Sequence, residues 1–221
     1  MAVFYYTPDK NLITVDPLEV LRYMGVCGSS DENTFAMAQN AVSVVSNHAD
    51  PRACYGVCDI TVHDDVTDFG FTAMQSQNLA RILGGCKKAV IFGATLGSDI
   101  DRIITFLGKT SPAKALGADA AASAFIESFC DKLSSHIAAC DFAEGKGLSP
   151  RFSPGYGGLS LEHQKEIFAF LDLPRRIGLT LTDSCMMTPS KSVTAIVGIG
   201  GKCKPAKCEL CDKKDCDYRK V

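Results

Sequence analysis

The chain has 221 residues, of which 46% are hydrophobic and 22% are charged, and its formal net charge is −2. This composition is ordinary for a globular protein with a sizeable core, in one large or two small domains. The weak net charge excludes a global basic field for nucleic acid, and no apolar run approaches the roughly 20 residues that a bilayer requires. The first ten residues lack the layout of a signal peptide. We therefore expect a cytoplasmic protein with no nucleic-acid or membrane partner.

The first half of the chain predicts short strands and helices in irregular order. Asp16-Pro17 is typical of an N-cap followed by a first helical turn, and Asp31 marks the start of a second helix. The run at 88–94 is almost continuously apolar, as a central strand would be. In chain order the predicted elements are a strand at 12–15, helices from residues 16 and 31, a strand at 53–63, a helix at 73–83, a strand at 88–94 and a helix from residue 100.

The second half begins with a long Ala-rich segment at 112–140, whose composition favours a helix. A connection at 145–150, a helix at 160–171 and strands at 178–182 and 192–199 follow. Because strands and helices mix without a strict βαβ alternation, the pattern predicts an α+β fold rather than a doubly wound sheet.

Eleven cysteines are many for a chain in a reducing compartment, and the odd number argues against a disulfide framework. Seven are scattered along the chain, and we expect most of these to be small, buried apolar residues. The scattered cysteines are Cys27, Cys54, Cys58, Cys86, Cys130, Cys140 and Cys185.

The other four cysteines follow the last predicted strand, with the spacing Cys203-x4-Cys208-x2-Cys211-x4-Cys216. Four thiolates this close together can enclose a zinc ion or an iron–sulfur cluster. The spacing differs from the bacterial ferredoxin run, and free thiols or disulfides are the alternatives. We predict a folded domain at 1–201 and a Cys-rich tail at 202–221.

The stretch at 151–157, Arg-Phe-Ser-Pro-Gly-Tyr-Gly, brings several ligand-binding features together. The guanidinium of Arg151 can pair bidentately with a carboxylate. Pro154 fixes φ in a turn, and Gly155 permits backbone conformations that let a ligand approach closely. The ring of Tyr156 can cover a flat or cationic group. Taken alone, these residues also fit a purely structural turn.

The segments after this turn carry a resemblance to a known family. A helix comes next, then Thr-Leu-Thr-Asp-Ser-Cys-Met-Met-Thr-Pro at 180–189 and a Ser-Val strand from Ser192. Over about 115–200 this order resembles the activation domain of cobalamin-dependent methionine synthase, and the segments at 18–23 and 94–97 resemble its free-standing short members. The resemblance implies a twisted antiparallel sheet flanked by helices, which binds S-adenosylmethionine and remethylates oxidised cobalamin.

The resemblance also implies roles for individual residues. Arg151 would bind the carboxylate of S-adenosylmethionine, the backbone around Ser153 would contact the adenine, and Tyr156 would lie near the methionyl or sulfonium end. Gly155 would be a further cofactor-binding position. Glu127 on the preceding long helix would contact the amino group, with Ser123 as the alternative in another alignment. Two contacts of the family have no match: an N-terminal aspartate, and a later aromatic residue that would fall beyond residue 200.

From these features we expect a methyltransferase-type reactivation subunit that acts with a separate corrinoid protein, because 221 residues leave no room for the other modules of the full enzyme. Its partners would be the cobalamin-binding domain of a methionine synthase or related corrinoid methyltransferase, and a flavodoxin- or ferredoxin-type electron donor. The alternatives are a non-catalytic corrinoid- or metal-handling module and a redox adaptor that uses the cysteine tail.

Overall fold

The computed structural model describes residues 2–26, 31–143 and 145–200. Its strands are β1 (Val3–Tyr6), β2 (Arg52–Asp59), β3 (Thr61–His63), β4 (Val66–Asp68), β5 (Ala73–Gln75), β6 (Lys88–Thr95), β7 (Thr180–Leu181), β8 (Met187–Thr188) and β9 (Ser192–Ile199). Its helices are α1 (Pro17–Tyr23), α2 (Glu32–His48), α3 (Gln77–Leu83), α4 (Ser98–Thr110), α5 (Pro112–Ala138), α6 (Gln164–Leu171) and α7 (Leu173–Ile177).

The main sheet has four strands in the order β1-β2-β6-β9, and every neighbouring pair is antiparallel. The register places Phe92 at the centre, opposite Tyr55 on one side and Ala195 on the other. Two smaller antiparallel sheets, β3-β4-β5 and β7-β8, lie outside it. The predicted α+β class with an antiparallel sheet flanked by helices is therefore confirmed.

Alternation along β6 explains why the sheet is covered on both faces. Val90, Phe92 and Ala94 pack into one buried cluster, together with apolar residues of α1, α2, α4 and α5. Ala89 and Ile91 point the other way, into a second cluster with α3, α6 and α7. Since successive side chains of a strand face opposite sides, a strand with a core on each side must be apolar throughout.

Helices α1 and α2 begin at the residues that the sequence predicts. The carboxylate of Asp16 accepts a hydrogen bond from the Leu18 backbone N–H at 2.9 Å, and Asp31 caps α2 by accepting from the Thr34 N–H at 2.7 Å. Side-chain oxygens that satisfy otherwise unpaired amides are what make Asp a preferred N-cap. The two predicted helix starts are confirmed.

Three predicted elements were wrong in part. The segment at 12–15 is not a strand: a 3₁₀ turn, Lys10–Leu12, is capped by Asp9 and leads into it, and the edge of the sheet is β1 instead. The strand predicted at 53–63 ends at Asp59, and β3 belongs to another sheet. The helix predicted at 73–83 is divided by Ser76, whose hydroxyl caps α3 after β5.

The chain between α5 and α6 runs beside the outer strand of the main sheet. The Phe152 N–H donates to the Ile196 carbonyl at 3.0 Å, and the Ile196 N–H donates back at 2.8 Å. Leu148 forms a second bridge with Ile199. This segment therefore occupies part of the free edge of β9, and it fixes the backbone on either side of Arg151.

Candidate functional site

The loop that carries the Arg-Phe-Ser-Pro-Gly-Tyr-Gly stretch is held by one hydrogen bond to β9 and by another within its own turn. Ser153 Oγ donates to the Thr194 carbonyl of β9 at 2.7 Å. The Gly155 N–H donates to the Leu159 carbonyl at 2.9 Å, which closes the turn. Gly155 has a φ of +92°, a conformation that glycine adopts without steric cost. The expected turn therefore forms, and Gly155 supports its shape.

The far end of the loop is anchored to α3 through one carbonyl group. The Gly157 carbonyl accepts hydrogen bonds from Ser76 Oγ at 3.1 Å and from Asn78 Nδ2 at 3.0 Å. Gly157 has a φ of +54°, and the ring of Phe152 packs directly against its Cα side. Both ends of the loop are thus fixed to regular secondary structure.

The guanidinium of Arg151 is clamped between two carboxylates of α5. Its Nη2 lies 2.6 Å from Glu127 Oε2, and its Nη1 lies 2.5 Å from Asp131 Oδ1. Residues four apart on a helix share one face, so both carboxylates reach the same side chain. The Arg151 side chain is 24% exposed, which makes these ion pairs partly shielded from water.

The same face of α5 continues one and two turns earlier with Ser123 and Asp119. Lys191, rather than Arg151, contacts both of them: its Nζ lies 2.8 Å from Asp119 Oδ1 and donates to Ser123 Oγ at 3.0 Å. Of the two positions considered for contact with the amino group, Glu127 is the one that the fold places against Arg151.

A cavity of about 810 Å³ opens between α5, the Arg151 loop and β9. Arg151 and Tyr156 line it together, and Tyr156 is 72% exposed at its mouth. Glu127 and Ser153 also line it, whereas Gly155 and Ser123 do not. The lining residues in the described part of the chain are Glu127, Asp131, Ser134, Leu148, Ser149, Pro150, Arg151, Phe152, Ser153, Pro154, Tyr156, Gln164, Met187, Ser192, Val193 and Thr194.

Three lining or neighbouring residues were missed by sequence reasoning. Asp131 follows Glu127 by four residues, and helical spacing alone could have identified it. Gln164 is 4% exposed and accepts a hydrogen bond from Thr194 Oγ1 at 2.9 Å, a contact set by packing of α6 on the sheet that carries no local signal. Asp16 shares a smaller cavity of about 380 Å³ with Arg151, so an aspartate from the N-terminal part does reach this region.

The charge states of Arg151 and of the neighbouring Cys130 suit ligand binding rather than nucleophilic chemistry. Burial opposes the charged form of Arg151, but the hydrogen bond to Asp131 and the negative charges of Glu127 and Asp131 favour it, and the pKa of the guanidinium is raised. Burial raises the pKa of the Cys130 thiol to about 12. Cys130 is therefore a neutral thiol near pH 7 and has little nucleophilic character. The arrangement can hold a ligand with both a carboxylate and an ammonium group.

The other predicted features stand as follows. Within 2–26, 31–143 and 145–200, no group of three or more His, Cys, Asp or Glu residues is placed to hold a metal ion. In those same ranges no helix is both long and apolar enough to cross a bilayer. The predicted metal ligands Cys203, Cys208, Cys211 and Cys216, and the proposed boundary at 201, lie outside the described residues and stay predictions.

Comparison with a solved structure identifies the fold. The chain has the fold of the MetH reactivation domain, whose crystal structure was determined bound to AdoHcy, with a TM-score of 0.71. The superposed region covers 92% of this chain and 80% of that one at 16% sequence identity, which establishes a shared fold. No curated protein sequence matches the chain.

The family model for the activation domain of vitamin B12 dependent methionine synthase matches residues 92–220, more than half of the chain. The protein belongs to the methionine synthase activation domain family, and the resemblance noted in the sequence is confirmed. The family is part of a methyltransferase system, and it acts with the cobalamin-binding part of methionine synthase.

Proposed function

We propose that this protein binds S-adenosylmethionine in the 810 Å³ cavity and supports reductive reactivation of a cobalamin-dependent methionine synthase or related corrinoid methyltransferase. One observation carries the proposal: Arg151 and Glu127, an adjacent cation and anion, line the same cavity as the exposed ring of Tyr156. An α-amino acid presents the complementary pair of charges. Membership of the family and the AdoHcy bound by the structurally similar domain support the same ligand class.

Charge complementarity favours the methyl donor. Among the described residues, the charged side chains that line the cavity are Glu127, Asp131 and Arg151, which together carry one excess negative charge. S-adenosylmethionine has a sulfonium, an ammonium and a carboxylate, and therefore one excess positive charge near pH 7. Charge-assisted hydrogen bonds to its amino acid end would orient it, with Arg151 on the carboxylate and Glu127 on the ammonium.

Size and loop geometry agree with a nucleoside-sized ligand. Cavities that bind small molecules usually have volumes of roughly 300–1,000 Å³. The hydroxyl of Ser153 is committed to the Thr194 carbonyl, so contacts to the adenine would come from the loop backbone. Tyr156 at the mouth would place an aromatic face near the sulfonium, where a cation is attracted to the ring quadrupole.

The role of this chain in methyl transfer would be to position the donor. The partner's cob(I)alamin, formed by one-electron reduction of cob(II)alamin, would accept the methyl group as the carbon–sulfur bond of the sulfonium breaks and S-adenosylhomocysteine remains. Arg151 and Glu127 would hold the amino acid end, while the open mouth beside Tyr156 would leave the methyl group accessible. The cobalamin-binding domain would be on a separate chain, with a flavodoxin- or ferredoxin-type protein as the electron donor.

Calorimetry and a methyl-transfer assay test this proposal. We expect saturable one-to-one binding of S-adenosylmethionine to the full chain. With a cobalamin-loaded methionine synthase fragment under reducing conditions, addition of this protein together with S-adenosylmethionine should convert the corrinoid spectrum to that of methylcobalamin. Co-purification from the native cell tests whether a corrinoid methyltransferase accompanies it. No heat of binding at millimolar S-adenosylmethionine would instead favour the non-catalytic corrinoid-handling module.

The cysteine tail carries a separate prediction. Cys208→Ser combined with Cys211→Ser should abolish binding of zinc or an iron–sulfur cluster, because these residues supply the closest pair of thiolates in the tail. The free energy of unfolding of the domain should not change, since the last strand among the described residues ends at Ile199, before the tail. Anaerobic purification followed by metal analysis, visible absorbance and thermal unfolding measures both effects.

Cys140→Ser is the control for that experiment, because Cys140 is partly exposed and lies outside the tail. Its metal content should equal that of the unaltered protein. A colourless, metal-free protein after reconstitution with iron, sulfide or zinc would contradict the tail prediction and would also remove the redox-adaptor alternative.

A further inference from the structure

Both terminal nitrogens of Arg151 already carry a carboxylate from within the chain. Nη2 donates to Glu127 and Nη1 donates to Asp131. A bidentate ligand carboxylate can approach a guanidinium across its two terminal nitrogens, or across Nε and one terminal nitrogen. The two protein carboxylates use two of the five N–H groups of the guanidinium, and a ligand carboxylate on the remaining N–H groups would be the third carboxylate on one cation. Mutual repulsion of three carboxylates around one positive charge favours release of one protein carboxylate when such a ligand binds.

The two carboxylates differ in their exposure to water and in whether they would contact the bound ligand. The side chain of Asp131 is 66% exposed and that of Glu127 is 45% exposed, so Asp131 regains water more readily when it leaves the guanidinium. Glu127 would still have a cationic partner after ligand binding, because the proposed function places it on the ligand's ammonium group. Asp131 would gain no ligand contact in that arrangement.

We infer that Asp131 is an internal competitor for the ligand's carboxylate: it neutralises Arg151 in the ligand-free protein and is displaced when the amino acid end of the ligand binds. This inference rests on the proposed function. It makes Asp131 a residue that sets affinity through Arg151, and it predicts opposite effects for two carboxylates that contact the same guanidinium.

The informative probe is S-adenosylhomocysteine. It has the carboxylate and ammonium but no sulfonium, so loss of the negative charge of Asp131 does not also remove attraction to a net positive ligand. Asp131→Asn keeps the shape of the side chain and removes the charge. Because exposed ion pairs contribute little, we expect S-adenosylhomocysteine to bind about three- to fivefold more tightly to Asp131→Asn than to the unaltered chain.

Three comparisons separate competition from a general structural effect, each measured by calorimetry on the full chain. Glu127→Gln should weaken binding of S-adenosylhomocysteine. Asp119→Asn is the matched control, since Asp119 is similarly exposed on the same helix face but pairs with Lys191, and it should leave the affinity unchanged. 5′-Methylthioadenosine lacks the amino acid end, and its affinity should be equal for Asp131→Asn and the unaltered chain.

The outcomes distinguish this inference from the function on which it rests. If neither the unaltered chain nor Asp131→Asn binds S-adenosylmethionine or S-adenosylhomocysteine, the proposed function fails and the inference fails with it. If the unaltered chain binds and Asp131→Asn binds S-adenosylhomocysteine equally or more weakly, only the inference is overturned. Equal tightening for 5′-methylthioadenosine would also overturn it, because that ligand has no carboxylate to compete.

Discussion

Arg151→Ala should weaken the binding of S-adenosylmethionine by about 2–4 kcal/mol, or roughly 30- to 1,000-fold in Kd. The guanidinium is largely buried, and without it a ligand carboxylate would enter the cavity beside Glu127 and Asp131 with no compensating cation. Leaving one member of a partly desolvated charge pair unmatched is costly. Calorimetry on the purified full chain measures the change directly.

Lys191→Met is the matched control for this prediction. Lys191 is 14% exposed and pairs with Asp119 on the same face of α5, but it does not line the cavity. This variant loses a comparable ion pair and should retain S-adenosylmethionine binding. If a folded Arg151→Ala protein kept the affinity of the unaltered chain, Arg151 would have no role in the ligand site.

Gly157→Ala should lower the free energy of unfolding by about 2–4 kcal/mol and weaken ligand binding. An L-residue at the φ of +54° is strained, and a Cβ there would lie 2.7 Å from Phe152 Cζ. The ring is partly buried against the second apolar cluster, which limits how far it can move away from Gly157. Denaturant unfolding and calorimetry with S-adenosylmethionine measure the two effects.

Gly158→Ala separates the steric contribution from the conformational one. Gly158 also has a positive φ, +80°, but a Cβ there would meet no heavy atom within 4 Å among the described residues apart from its chain neighbours. We expect a cost of only about 1–2 kcal/mol. Equal losses of stability in the two variants would contradict the packing of Phe152 against Gly157.

The sequence predicted those elements whose determinants are local. The apolar run of β6 and the N-caps Asp16 and Asp31 each depend on neighbouring residues, and each was found. The first strand was wrongly placed at 12–15 because β1 and that segment are both short, and only pairing with β2 distinguishes them. Hydrogen bonds between strands that are distant along the chain cannot be recognised from a short stretch of sequence.

The residues of the candidate site also fall into two groups: those that nearby sequence could indicate and those that depend on packing between distant segments. Arg151 and Tyr156 lie on one short loop, and their proximity in the sequence was enough to indicate a common cavity. Glu127 was placed by family resemblance, and the alternative Ser123 differed from it by a single helical turn. Gln164 could not be predicted, because its contact with Thr194 depends on how α6 packs against β9.

The loop that presents Arg151 has a second consequence for the behaviour of the protein in solution. Through Phe152 and Leu148 it occupies the outer side of β9, a strand whose side chains are mostly buried and apolar. An outer strand with unpaired amides and carbonyls is a template for strand addition by another copy of the chain. Any change that detaches this loop should therefore promote self-association at high concentration, so that loss of ligand binding and loss of solubility arise together.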